Sequence, residues 1–179
     1  MKCNPKVAFP ARSIIVYATR RLHMSNAATA TSTDRIEKTL LLRAPKARVW
    51  RAISTPEEFG TWFKVKLEGT FVAGRTTIGK ITHPGFENMT MEMYIERIEP
   101  EDFFSYRWHP YAIDPKVDYS NEPTTLVEFR LEEVAEGTKL TIVESGFDKI
   151  PAARRNEAFR MNEKGWAGQI ENIRRYVES

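Results

Sequence analysis

Hydrophobic and polar residues between Asp34 and Ser179 fall into two kinds of pattern, and the changes from one to the other mark out the elements. Ile36 to Arg43 alternates and reads as a strand. Pro45 suits the first turn of a helix, where its missing N–H would lack a partner anyway, and Val49, Trp50 and Ile53 then share one helical face. Pro56 opens a second short helix in which Phe59, Trp62 and Phe63 lie on one side, while Gly60 is expected to keep it short. Each helix should bury a tryptophan.

Period-two alternation follows. Met89, Met91, Met93 and Ile95 make one face of a strand, and Phe104, Tyr106 and Trp108 repeat the arrangement after a turn at Glu99-Pro100-Glu101-Asp102. Beyond a polar loop from Pro110 to Pro123, Thr125, Val127, Phe129 and Leu131 form another inward row. Glu136-Gly137-Thr138 then turns the chain into Leu140, Ile142 and Glu144. These are neighbouring antiparallel strands of a meander. Arg154 to Val177 returns to helical spacing, with Phe159, Trp166, Ile170, Ile173 and Val177 in one stripe. Only the inward rows of the sheet can cover that stripe, at a gain of about 1.5–3 kcal/mol for each large side chain buried. The order implies an α+β fold: a curved antiparallel sheet wrapped around a long C-terminal helix, with two short helices after the first strand.

Composition narrows the classes. The 179 residues suffice for one well-packed domain. The net charge of +3 is misleading, because residues 1–33 hold five basic side chains and no acid, leaving 22 basic and 24 acidic ones beyond them. A near-neutral domain gives no reason to expect nucleic acid. Cys3 is the one cysteine, which excludes an internal disulfide and a cysteine-based metal site. No apolar run approaches the roughly eighteen residues of a membrane span, and Ser13 to Ala18 is short for a signal-peptide core. A cytoplasmic protein is expected. Residues 1–33 admit three readings: a disordered extension, a transit peptide, or sequence upstream of the true start. The third is favoured, with Met24 as the start and residues 34–179 as the domain.

The run Pro45…Val49-Trp50-Arg51-Ala52-Ile53…Pro56…Phe59…Trp62-Phe63, the later Glu136-Gly137-Thr138-Lys139-Leu140-Thr141…Glu144-Ser145-Gly146-Phe147, and the terminal helix with Trp166 resemble the domain shared with activators of the heat-shock-protein-90 ATPase. That group belongs to the START-like, Bet v 1-like (SRPBCC) superfamily, and the resemblance covers nearly all of 34–179. It implies a helix-grip fold with a hydrophobic cavity between sheet and helix. Members use that cavity for lipids, polyketides, hormones or ring-forming chemistry. Cochaperones of the group carry a further N-terminal domain that 33 residues cannot hold. The familiar paired glycine after the second strand is Ala73-Gly74 here.

Candidate chemistry is sparse. Gly74-Arg75-Thr76-Thr77-Ile78-Gly79-Lys80 approaches a phosphate loop, but Ile81 stands where a Ser or Thr would hold magnesium, and the surroundings alternate like a strand. No dinucleotide, flavin or iron–sulfur signature is present, and no cofactor is expected. His23, His83 and His109 lack metal-ligand spacing, so no metal is expected either. His109, at a strand end on the rim of the expected cavity, could donate to a ligand or move a proton, or could simply bond to the loop backbone. Glu144 continues an inward row, so it is either a buried anchor or base, or a strand-end residue reaching water or pairing with an arginine such as Arg155.

The expected ligand-binding set is Trp62, Phe63, Met91, Met93, Phe104, Tyr106, Trp108, Phe129, Ile142, Glu144, Phe159 and Trp166, most of which would equally serve as core. The function expected is binding of a small hydrophobic molecule, lipid or aromatic, by a monomer or homodimer. Tyr111 and Tyr119 could form a lid or a dimer contact. Two alternatives stand beside it: a module that stimulates a chaperone ATPase, and a cyclase- or hydrolase-type enzyme using Glu144 and His109.

Overall fold

Alternation of buried and exposed positions turns the strands into a sheet with one covered face. A computed structural model describes residues 34–87 and 89–179, so the readings of residues 1–33 lie outside the described residues. In chain order the elements are β1 (Arg35–Leu42), α1 (Lys46–Ser54), α2 (Pro56–Phe63), β2 (Val65–Leu67), β3 (Thr76–Ile81), β4 (Thr90–Glu99), β5 (Phe103–Trp108), β6 (Thr125–Val134), β7 (Gly137–Ser145) and α3 (Ala152–Val177). The strands pair antiparallel in the order β1-β7-β6-β5-β4-β3-β2, a single unclosed sheet. The helix-grip α+β fold is therefore what the chain adopts, and no helix among the described residues is long and apolar enough to cross a membrane.

Register explains which residues face the core. Val127 lies opposite Glu144 and Tyr106, Phe129 opposite Ile142 and Phe104, and Leu131 opposite Leu140, so the three inward rows lie side by side. All of these except Leu131 are almost completely buried. Across them runs α3, which covers the rows with Ala158, Asn162, Trp166, Ile173 and Val177. Phe159 and Ile170, expected in the same stripe, are only half-buried at its edges, where they pack against the core.

The two short helices fill the rest. Val49, Ala52 and Ile53 are the buried face of α1, and Trp50 is half-buried beside them, so only one of the two helices buries its tryptophan fully. That residue is Trp62, whose indole N–H donates to the Ala52 carbonyl at 2.9 Å and pins α2 to α1. The helix α2 is short, as expected, but Gly60 does not set its end. The helix runs on to Phe63 and stops at Lys64, which is left-handed at φ 68° and donates its N–H to the Gly60 carbonyl. Gly60 is required for a different reason: a Cβ there would stand 2.2 Å from the Val65 carbonyl oxygen, where the chain doubles back into β2. The short strand β2 was not evident from the pattern, and the Gly74–Lys80 segment lies mostly in β3, as its alternation implies.

Candidate ligand-binding site

The sheet, α3 and two loops enclose an open-mouthed cavity of about 660 Å³. Phe63 from α2, Ile81 from β3, Met91 and Glu92 from β4, and Trp108 from β5 line its sheet side; Asn162 and Gln169 face it from α3. His83, Phe86 and Met89 come from the β3–β4 connection, and Tyr111, Ile113, Val117 and Tyr119 from the β5–β6 loop. A smaller hollow of about 90 Å³ shares Phe63, Trp108, Asn162 and Gln169 and extends to Met161, Gly165 and Trp166 along α3.

The β5–β6 loop is held in place from α3. Arg154 donates from Nε to Glu122 Oε2 at 2.6 Å and from a terminal nitrogen to the Pro110 carbonyl at 2.8 Å, and its guanidinium covers the Tyr119 ring at 4.8 Å. Tyr111 and Tyr119 thereby sit on the cavity rather than on an open face. Within the loop Tyr111 is left-handed at φ 50°, and the Tyr119 hydroxyl accepts from the Asp114 N–H.

Immediately behind the wall lies a buried carboxylate. Glu144 is fully enclosed, and its two oxygens accept from four side chains. Trp108 Nε1 (2.8 Å), Thr125 Oγ1 (2.6 Å) and Asn162 Nδ2 (2.9 Å) donate to Oε1, while Trp166 Nε1 (2.6 Å) and Asn162 Nδ2 (3.1 Å) donate to Oε2. Neither of the bland expectations for this residue holds. It does not reach water, and Arg155 is turned away, donating to the Ile150 carbonyl. Donors rather than a counter-charge stabilise it. Burial pushes its pKa up, and the bonds from Thr125, Trp166, Trp108 and Asn162 pull it back down. Beside it, burial and then the Glu144 charge raise the pKa of Tyr106, whose hydroxyl is buried without a partner among the described residues.

Of the expected binding residues, Phe63, Met91 and Trp108 line the larger cavity and Trp166 the smaller one. Trp62, Met93, Phe104, Tyr106, Phe129 and Ile142 are packed inside the core, and Phe159 lies against Phe147. His109 lines the cavity, with Nε2 at 3.2 Å from the Glu122 carbonyl. Glu144 does not line it; Trp108 and Asn162 stand between. The sequence pattern points to Tyr111, Tyr119 and His109 at the cavity, but not to Asn162, Gln169, His83, Phe86, Ile113 or Val117. Asn162 had a signal, since it precedes Trp166 by one helical turn and so shares the face of α3 turned to the sheet.

A sheet closed by a long helix over a partly unfilled core defines a START-like, Bet v 1-like helix-grip protein. Within that group the chain belongs to the family described as activator of Hsp90 ATPase homolog 1-like proteins, whose sequence profile matches residues 43–178. Solved structures carry the same fold at low identity. A protein from Mesorhizobium loti is 20% identical, with a TM-score of 0.64 over 80% of this chain and 96% of that one. A protein from Chromobacterium violaceum is 19% identical, with a TM-score of 0.63 over 83% and 99%. The Aha1 dimer from Colwellia psychrerythraea is 16% identical, with a TM-score of 0.59 over 80% and 96%. A comparison with curated proteins gives no match.

Proposed function

We propose that the protein binds a small, mainly hydrophobic molecule in the cavity between the sheet, α3 and the β5–β6 loop, for carriage, sensing or sequestration. The observation that carries this reading is the 660 Å³ space itself, lined by Phe63, Met91, Trp108 and Tyr119 in a fold that often holds ligands. Its size lies within the roughly 300–1,000 Å³ of small-molecule sites, and apolar walls with few polar groups are their usual chemistry. An enzyme built on Glu144 and His109 draws less support, because only His109 borders the space. A chaperone-stimulating surface draws on the family's description and on the Aha1 relative.

Native mass spectrometry of protein purified from its own host, followed by solvent extraction, tests the reading. A released lipid or aromatic compound is the expected result. Empty protein that also fails to bind hydrophobic fluorescent probes would overturn it in favour of the chaperone-facing surface.

A further inference from the structure

The polar groups around the cavity have an unequal division of hydrogen-bonding roles. Most side-chain N–H groups whose direction is fixed are already spent on the protein, the second amide N–H of Gln169 excepted. Trp108 gives its indole N–H to Glu144, and Gln169 gives its amide to the Phe63 carbonyl at 3.2 Å while its oxygen accepts from Asn172. Indoles can only donate, and Thr125 already donates to Glu144, so the shell around that residue answers to an acceptor. Asn162 must therefore turn its NH₂ toward Glu144, which leaves Oδ1, an acceptor, as its free atom. The two histidines follow the same rule. His109 Nε2 faces the Glu122 carbonyl and His83 Nδ1 the Pro84 carbonyl, so each of those nitrogens carries the proton. In the neutral ring the other nitrogen is then an acceptor.

Charge points the same way. Asp118 borders the cavity, the carboxylate of Glu92 lies on the outer face of β4, and no Lys or Arg lines the space among the described residues. Hydroxyls such as those of Tyr111 and Ser120 can serve in either role.

Resting on the binding reading above, we infer that the ligand is an aromatic or polycyclic molecule that carries N–H or O–H donors and no negative charge, and that Asn162 Oδ1 is its principal acceptor. A fatty acid or an aromatic carboxylate would meet acceptors and the Asp118 carboxylate, with no Lys or Arg beside it. The apolar walls supply affinity for any flat body; the acceptors decide among head groups.

Three probes with one body separate these effects: anthracene, aminoanthracene and anthracenecarboxylate, titrated by fluorescence at neutral pH against the full chain. Aminoanthracene should bind about three- to tenfold more tightly than anthracene, the worth of one net hydrogen bond, and the carboxylate more weakly than either. Asn162→Ala should bring the amine down to the level of anthracene; a loss shared equally by both would assign Asn162 to the wall alone and overturn its role. The variant Asp118→Asn, at an exposed position, should raise affinity for the carboxylate specifically, which keeps the test open should Asn162→Ala fold poorly. Equal binding of amine and parent, or tightest binding of the carboxylate, overturns the inference and leaves the binding reading standing. Failure of all three to bind overturns both.

Discussion

Glu144 shows how one residue can be read from sequence in part. Its inward position follows from alternation with Leu140 and Ile142, two residues apart on β7. Its partners do not follow, because Trp108 and Thr125 come from β5 and β6, and Asn162 and Trp166 from a helix whose placement is set by tertiary packing. Glu144→Gln inserts an amide N–H₂ among groups that can only donate or already do. It should lower stability by about 1–3 kcal/mol in urea unfolding, the cost of leaving buried donors unmatched. The pH dependence is also fixed in sign. Burial raises the folded pKa above the ordinary 4.5, so the folded state holds this proton more tightly than the unfolded one. The contribution of Glu144 is therefore greatest below 4.5 and declines as pH rises through the window up to the folded pKa. Subtracting the unfolding free energies of Glu144→Gln from those of the parent across that window should give a falling curve. A rising one would mean that the donor shell outweighs burial.

The strands β4 to β7 are legible because each carries enough alternating positions to define a face, and α3 because its stripe is long. Three-residue β2 carries too few, and the β5–β6 loop has no period at all, although it supplies much of the cavity wall. Low helix propensity is the reason to expect Gly60 to keep α2 short, whereas close backbone approach is what selects it. Gly60→Ala should accordingly destabilise by about 1–3 kcal/mol rather than stabilise, as thermal or urea unfolding would show. The loop is anchored through Arg154, Glu122 and Pro110. Arg154→Ala should reduce hydrogen-exchange protection between Pro110 and Glu122 and speed probe dissociation, with a global cost of about 1–3 kcal/mol, because the pair is largely buried and Glu122 is left without its partner. Unchanged exchange there would show that the loop holds its place without the arginine.

Across the domain, the core and the cavity are one aromatic system divided by a wall one side chain thick. Phe59 contacts Trp62, Phe63, Tyr106 and Phe129; Phe63 and Trp108 each contact Trp166; and Phe63 and Trp108 also face the open space. The family resemblance and the meander imply such a cavity, but its volume depends on how the two loops fold back, which no periodic signal encodes. Because the lining comes from α2, β3, β4, β5 and α3 together, an occupant ties the helix to the β3–β5 half of the sheet. A ligand at a hundred times its dissociation constant should raise the unfolding free energy by about 2.7 kcal/mol, provided it does not bind the unfolded chain. Hydrogen exchange distinguishes where that stabilisation arises. Occupation of the cavity should slow exchange first in the β3–β4 and β5–β6 connections, which form its mouth, and in β1, remote from the lining, only to the extent that global unfolding is suppressed. Protection that appeared in β1 alone, with the two connections unchanged, would place the ligand outside the cavity.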